Sequence, residues 1–462
     1  MDAATVLQRQ KAFFATGATR PLDYRRAALR ILSEALDRHE AEILQALEAD
    51  LGKNPVQAFT SELMTVQLEI SHALRHLKRW MKPERRSVPM LALPGSARVV
   101  REPCGAVLII GPWNYPLQLM LAPLAGALAA GCTAILKPSE FAPHTSVVVA
   151  SIIAGCFAEE HVAVFPGGKE TAEELQRQSF DHVFFTGGQK AGTEVLKAAA
   201  PSLTPVTLEL GGKCPALVFP GGTPPADFRR SLDAIARRIA WGKYLNAGQT
   251  CVAPDHVLVD AAWRDELIAA LAKAFDSFDP ADHGRIVNRR HFDRLICYLD
   301  EGTVIHGGTR DETSLRIDPS ILIDIREGAT MMEDEIFGPI LPVIACEDVD
   351  EAIRQVSDRP PALAVYAFSE DRKLLEKITA QTISGGICFN DTVVQVAGPT
   401  LPFGGIGQSG MGRWHGHASF ETFTRSRVIL RRGLRIDPAF RYSPVKTSLE
   451  SLRKAMKLLM RF

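Results

Sequence analysis

A cysteine set in a turn of small residues gives this chain a candidate nucleophile. In Asn246-Ala247-Gly248-Gln249-Thr250-Cys251-Val252-Ala253-Pro254-Asp255, Cys251 follows a stretch in which Leu232, Ile235, Ala236 and Ile239 recur at helical spacing. It precedes His256-Val257-Leu258-Val259, which predicts a short buried strand. The thiol therefore falls on a connection, where function concentrates. Gly248 and its short neighbours allow a substrate to approach both the sulfur and the Cys251 backbone N–H. The alternative is a packing role, since a free cysteine commonly behaves as a small buried hydrophobe.

Four turns at predicted strand ends carry further polar candidates. Gly111-Pro112-Trp113-Asn114-Tyr115-Pro116 lies between a buried strand and a helix. Asn114 is there either a helix cap or a donor to a developing oxyanion, an effect worth roughly 3 to 4 kcal/mol. In Lys137-Pro138-Ser139-Glu140, Lys137 and Glu140 either pair with each other or hold a ribose at the ligand edge of a sheet. Phe185-Thr186-Gly187-Gly188-Gln189-Lys190-Ala191-Gly192 is a glycine-containing strand-to-helix turn whose amides suit a pyrophosphate, though it is not a regular Gly-x-Gly-x-x-Gly. In Leu208-Glu209-Leu210-Gly211-Gly212-Lys213 a carboxylate lies between two leucines. It is either salt-bridged or a base whose pKa is raised by burial. Farther on, Glu333-Asp334-Glu335-Ile336-Phe337-Gly338-Pro339 puts a carboxylate and a ring on one turn, and Pro402-Phe403-Gly404-Gly405 lies in a glycine-rich loop.

Those turns need elements to hold them. Residues 1–80 read as helices, with Tyr24, Ala27, Ala28, Ile31, Leu32, Ala35 and Leu36 on one face and a second periodic run from Glu62 to Trp80. Three prolines break regular structure from Pro83 to Pro94, and 97–100 alternates into a strand, so this segment reads as an arm that packs on a sister subunit. From 105 to 210 short apolar strands alternate with helices at about 117–130, 145–157 and 191–199. This predicts a parallel sheet covered on both faces. A second alternation runs from about 214 to 395. The expected fold is α/β: two doubly wound lobes plus a small oligomerisation arm.

Composition narrows the class. At 462 residues the chain has room for two or three domains, and its zero formal net charge disfavours nucleic-acid binding. Its eight cysteines show no Cys-x-x-Cys or metal-ligand spacing, so no metal is expected and reduced thiols in a cytoplasm fit. The N-terminus shows no secretory pattern. Residues 115–136 carry no formal charge over a span-length window, but Pro116, Pro123 and the Gly131-Cys132 break predict a buried helix and a strand in place of a membrane span. Near the end, Thr447-Ser448-Leu449-Glu450 reads as a capping box. It leads into an apolar stripe of Leu449, Leu452, Met456 and Leu459 beside Arg453, Lys454, Lys457 and Arg461, which docks on the protein or on a membrane surface.

Taken in order, Trp113-Asn114-Tyr115-Pro116, Lys137-Pro138-Ser139-Glu140, Phe185-Thr186-Gly187-Gly188, Glu209-Leu210-Gly211-Gly212-Lys213, Gly248-Gln249-Thr250-Cys251, Glu335-Ile336-Phe337-Gly338-Pro339 and Pro402-Phe403-Gly404-Gly405 resemble the motifs of the NAD(P)-dependent aldehyde dehydrogenase superfamily. Residues 203–213 and 248–255, with the short N-terminus, look like the class 3 branch of fatty, benzaldehyde-type and coniferyl-type enzymes. The resemblance implies that Cys251 attacks the aldehyde carbon and that Asn114 and the Cys251 N–H hold the oxyanion. It implies further that hydride passes to the nicotinamide and that Glu209 activates the water that hydrolyses the thioester. It assigns Lys137 and Glu140 to the adenine-side ribose, Thr186, Gly187, Gly188 and Gly192 to the pyrophosphate turn, and Glu335 with Phe337 to the nicotinamide end. It implies NAD as preferred cofactor with NADP accepted, an apolar aliphatic or aromatic aldehyde, and a homodimer. The implied domains are a cofactor domain (1–82, 101–208), a catalytic domain (209–395), bridging segments (83–100, 413–462) and a glycine-rich return (396–412). Lys190 departs from the glycine common in class 3 and adds a charge at the pyrophosphate turn. Rival readings are an acylating enzyme using coenzyme A, which Glu209 disfavours, a silent scaffold of the same fold, and a cysteine hydrolase, for which no histidine motif accompanies Cys251.

Overall fold

The computed structural model describes residues 2–89, 92–437, 442–444 and 447–460. Two compact units emerge: Met1–Trp80 with Pro103–Arg425, and a smaller one of 81–102 with the chain from Ser426 onward. The larger unit opens with helices α1 (Ala3–Ala15), α2 (Leu22–Arg38), α3 (Glu40–Leu51), α4 (Pro55–Ala58) and α5 (Met64–Trp80). Ala28, Leu32, Ala35 and Leu36 of the expected α2 face are buried, but Ala27 and Ile31 are exposed. Leu29 takes a place in the core instead, so the buried stripe is rotated from the one the spacing suggested. The periodic run expected from Glu62 divides: Phe59–Leu63 is a single π turn, and the regular helix starts only at Met64.

In the smaller unit, strand β1 (Glu84–Arg86) pairs antiparallel with β2 (Gly95–Pro103), with Glu84 opposite Val99 and Arg86 opposite Ala97. A short strand thus survives between Pro83 and Pro89 in a stretch expected to be irregular.

The first sheet of the larger unit contains β3 (Ala106–Ile110), β4 (Thr133–Lys137), β5 (Val162–Val164), β6 (His182–Thr186) and β7 (Val206–Glu209), all parallel to their neighbours. Crossovers are made by α6 (Gln118–Ala130), α7 (Pro143–Cys156), α8 (Lys169–Gln176) and α9 (Gln189–Ala199). The spatial order β7-β6-β3-β4-β5 means that the chain builds outward from β3, then returns to build on its other side. The switch point lies between the carboxyl ends of β3 and β6, where a doubly wound sheet opens a ligand crevice. Gly111–Asn114 leaves β3 there and Gly187-Gly188 leaves β6. Residues 115–136 form α6 and β4, and among the described residues no helix is long and apolar enough to cross a membrane.

The second sheet begins with β8 (Pro215–Val218), followed by helix α10 (Pro225–Tyr244) and β9 (His256–Asp260). Then come α11 (Arg264–Asp276), α12 (Arg289–Leu299) and β10 (Thr303–His306), the two-residue pair β11 (Arg310–Asp311) and β12 (Arg316–Ile317), and β13 (Ser320–Ile323). It is completed by β14 (Ile340–Cys346), β15 (Ala362–Phe368) and β16 (Ser384–Phe389), in the order β10-β13-β14-β9-β8-β15-β16. Only β10 runs antiparallel. Both expected α/β lobes are therefore present. In this second lobe the reactive turns sit at the amino ends of the strands: Glu209–Lys213 enters β8 and Cys251–Asp255 enters β9. Strand β17 (Gly410–Met411) then returns to pair antiparallel with β7, Gly410 opposite Glu209.

The smaller unit resumes later than the sequence suggested, at Ser426 and not 413. Residues 413–425 carry Trp414, Phe420 and Phe423, whose rings are buried against Phe184 of β6 and Trp80 of α5, so they belong to the larger unit. Strand β18 (Thr424–Arg432) completes the arm sheet beside β2. The terminal helix Leu449–Leu459 is capped by Ser448, whose hydroxyl accepts from Ser451 N–H at 3.2 Å, one residue past the expected Thr447 cap. Leu449, Leu452 and Met456 are exposed on it, while Arg461 lies outside the described residues.

Candidate active site

Three consecutive left-handed residues present Cys251. After α10, Asn246, Ala247 and Gly248 have φ of 55°, 55° and 72°, which stops the helix and reverses the chain within one turn. Gly248 is required there, because a Cβ would come within 2.2 Å of the Gly338 carbonyl oxygen. The strain is held by buried amides. Gln249 Nε2 donates to the carbonyls of Asn246 (3.1 Å) and Arg285 (3.0 Å), and its Oε1 accepts from Val287 N–H at 3.0 Å. Cys214 Sγ donates to the Cys251 carbonyl at 3.3 Å, and Tyr366 Oη to that of Val252 at 2.5 Å.

The other turns converge on this loop through buried polar ties. Asn114 is 4% exposed; its Nδ2 donates to the Gln249 carbonyl at 3.0 Å, and the neighbouring Tyr115 hydroxyl meets Thr250 Oγ1 at 2.7 Å. Lys213 is paired with Asp255, and its ammonium also donates to the carbonyls of Met331 (2.7 Å) and Asp334 (3.0 Å). Asp255 Oδ1 in turn accepts from Ile336 N–H at 2.8 Å. Segments 209–213, 251–255 and 331–337 are thereby knotted around one lysine–aspartate pair. Burial opposes ionisation of Asp255, but Lys213 prevails and holds its carboxyl well below the usual range.

The cavity so formed has a volume of about 650 Å³, and Asn114, Thr186, Gly187, Gly188, Glu209, Cys251, Glu335 and Phe337 all line it. Trp113 stands edge-on to Phe337 at 5.3 Å and contacts His291 at the same ring distance. Lys137, Glu140 and Gly192 are not in its wall. Lys137 ends β4 beside the site, buried, with its ammonium 2.7 Å from the Glu140 carboxylate, so the two residues are paired with each other in this structure. Gly192 lies inside α9, where a Cβ would press on Leu210 at 2.7 Å; it lets that helix approach the sheet.

The electrostatics suit proton transfer. Glu209 is 3% exposed at the end of β7, and neither carboxylate oxygen has a hydrogen-bond partner. Burial raises its pKa well above the ordinary 4.5, against the weaker opposing pull of the Arg413 charge. Glu335 is raised to about 8 by burial and by the Asp255 charge, although Gly212 N–H donates to it. The Cys251 thiol is pushed up by burial and by Glu335 and Glu209, while its own N–H and that of Val252 favour the thiolate. Nucleophilicity thus depends on a base taking the thiol proton.

A dinucleotide fits the remaining wall. Helix α9 has Gly188 as its N-cap and so no side-chain cap, which leaves its first amides open to an anion, and the buried Thr186 Oγ1 beside them has no partner. Sequence reasoning passed over Lys53, Glu62, Asn246, Gln249 and Arg294, whose side chains tie the turns together. Arg294 donates to the carbonyls of Glu335 (3.3 Å) and Ile336 (2.8 Å). Asn246 and Gln249 lay within the cysteine turn that drew attention, and Glu62 stood only as the start of a helical run.

Residues 1–429 match the model of the aldehyde dehydrogenase family. The chain belongs to this family. It is 40% identical over 97% of both chains to 4,4'-diaponeurosporen-aldehyde dehydrogenase of Staphylococcus aureus. It is 40% identical to the dimeric NADP-preferring aldehyde dehydrogenase of Mus musculus, covering 96% of this chain and 98% of that one. Among solved structures, Staphylococcus aureus AldH in a substrate-bound state superposes with a TM-score of 0.93 at 38% identity, over 98% of this chain and 99% of that chain. The similarity to class 3 enzymes is likewise present: family 3 member B1 of Bos taurus shares 42% identity over 96% of this chain and 94% of its own. Membership makes this an NAD(P)-dependent aldehyde dehydrogenase by class, as its motifs implied.

Proposed function

We propose that this aldehyde dehydrogenase oxidises apolar aliphatic or aromatic aldehydes to carboxylic acids, with Cys251 as nucleophile, Asn114 as oxyanion donor and Glu209 as base. The observation that carries this reading is the meeting of all three on one cavity, with the Glu209 carboxyl buried and unpartnered. The Cys251 sulfur, once deprotonated, bonds to the aldehyde carbon. The carbonyl oxygen becomes an oxyanion received by the Cys251 N–H and by Asn114, whose amide has two N–H donors. When bound against Gly187-Gly188, Thr186, Glu335 and Phe337, the dinucleotide supplies the hydride acceptor. Glu209 takes a proton from water, whose oxygen attacks the Cys251 thioester; the C–S bond breaks, the acid leaves and the thiolate returns.

Lys137 and Glu140 are assigned to the adenine-side ribose. A carboxylate there repels a 2′-phosphate, so NAD is preferred and NADP accepted. Initial rates with both cofactors check this, and a large NADP preference overturns it. The reduced-thiol chemistry suits a cytoplasmic location. A homodimer built through the 81–102 and 426–437 arm is in keeping with the dimeric mouse relative; sedimentation as a monomer only would refute it. The central experiment follows NAD reduction across octanal, benzaldehyde and a cinnamyl-type aldehyde. Cys251→Ala abolishes turnover, whereas Glu209→Gln gives one burst and stalls. Turnover that persists in Cys251→Ala, or that requires coenzyme A, overturns the reading.

A further inference from the structure

Behind Asn114 lies a buried ion pair that the reaction scheme does not use. The side chains of Lys53 and Glu62 are both 0% exposed, with Nζ 2.5 Å from Oε1. Each spends its remaining hydrogen-bonding capacity on the segment that carries Asn114. Lys53 Nζ donates to the Asn114 carbonyl at 3.0 Å and lies 4.0 Å from the centre of the Tyr115 ring. Glu62 Oε2 accepts from Leu117 N–H at 3.1 Å and from Gln118 N–H at 2.9 Å, where α6 begins. Residues 114–118 are thus gripped at both ends by one charge pair.

Two further features tie this grip to the reactive loop. Asn246 Nδ2 donates both to the Asn114 carbonyl (2.9 Å) and to the Gln249 carbonyl (3.1 Å), the latter being the acceptor of the Asn114 amide itself. Glu62 belongs to the π turn Phe59–Leu63, and the wider turn redirects its side chain relative to the regular helix that follows. As a stabilising device the pair is poor, since desolvating two charges commonly cancels their attraction.

We infer that Lys53 and Glu62 are positioning residues that fix the Asn114 peptide and the first turn of α6, so that the Asn114 amide faces the Cys251 loop before substrate arrives. This rests on the role given to Asn114 in the proposed function. Misplacement of such a donor by about 1 Å costs on the order of a hundredfold in rate.

The test is a double-mutant cycle with benzaldehyde and NAD. The paired variant Lys53→Met with Glu62→Gln avoids stranding a lone buried charge. It is expected to lower kcat/KM by about 10- to 100-fold, mainly through kcat, while the dissociation constant for NAD, read by fluorescence quenching, stays within about twofold. In an Asn114→Ala background the same pair should cost less than about threefold, because the group it acts through is gone. Losses that multiply in the Asn114→Ala background, or NAD binding that weakens in step with kcat, overturn the inference and leave the pair a structural element. A parent inert toward aldehydes overturns the proposed function and this inference with it, whereas an active parent without coupling overturns this inference alone.

Discussion

Replacing Glu209 by glutamine should make the enzyme slower and, at neutral pH, more stable. The carboxyl is buried at the end of β7 with neither oxygen partnered, and its folded pKa is raised well above 4.5 by burial. Between about pH 4.5 and that raised value the folded protein keeps the proton that the unfolded chain has lost. The folded state then binds more protons, so stability falls as pH rises, by about 1.4 kcal/mol per pH unit for this one group. Glutamine has nearly the same shape and no charge to desolvate, so the variant escapes that loss. Urea unfolding of parent and Glu209→Gln at pH 5, 6, 7 and 8 should show a difference that is smallest at the acid end and widens in favour of the variant as pH rises toward the raised pKa. Steady-state turnover should fall by about 10² to 10⁴ with the first burst of NADH intact, since removing a general base affects the hydrolytic step. A stability difference that stays flat with pH would show that the carboxyl is not perturbed. Undiminished steady-state turnover would remove its role as base.

Other perturbations follow from the same geometry. Gly248→Ala places a methyl against the Gly338 carbonyl at a φ of 72°, so a loss of about 2 kcal/mol or more is expected in denaturant unfolding, with activity falling alongside. Asp255→Asn leaves the Lys213 ammonium buried without its counter-charge and should cost about 3 to 5 kcal/mol; a midpoint unchanged in urea would show that the knot between the three segments is not held by this pair. Lys190→Gln, at the open start of α9, should weaken NAD binding by a few-fold and reduce its salt dependence, measured by titration calorimetry at two ionic strengths. Equal affinities at both would place Lys190 away from the phosphates.

Much of this molecule is written locally. Strands such as Ala106–Ile110, and the Ala134–Leu136 centre of the next, are continuous apolar runs because helices cover both faces of their sheet, and glycine or proline punctuates their ends, so both the α/β class and the positions of the turns are readable from the chain. The residues proposed to carry the chemistry, Cys251, Glu209 and Asn114, stand out for the same reason: each interrupts an apolar or small-residue setting. What the chain alone leaves open is which turns meet and which polar residues hold them. Lys53, Glu62 and Arg294 look like ordinary surface side chains in sequence, since a charge in a polar stretch does not show whether solvent or a distant segment closes over it. Their partners lie tens of residues away, as when Lys53 reaches Asn114 and Glu62 reaches Leu117. The Lys137–Glu140 pairing, the late start of the arm at Ser426 and the left-handed turn before Cys251 were likewise decided by tertiary packing. Burial sets the strength of every charge in the site, and burial is a property of the folded chain.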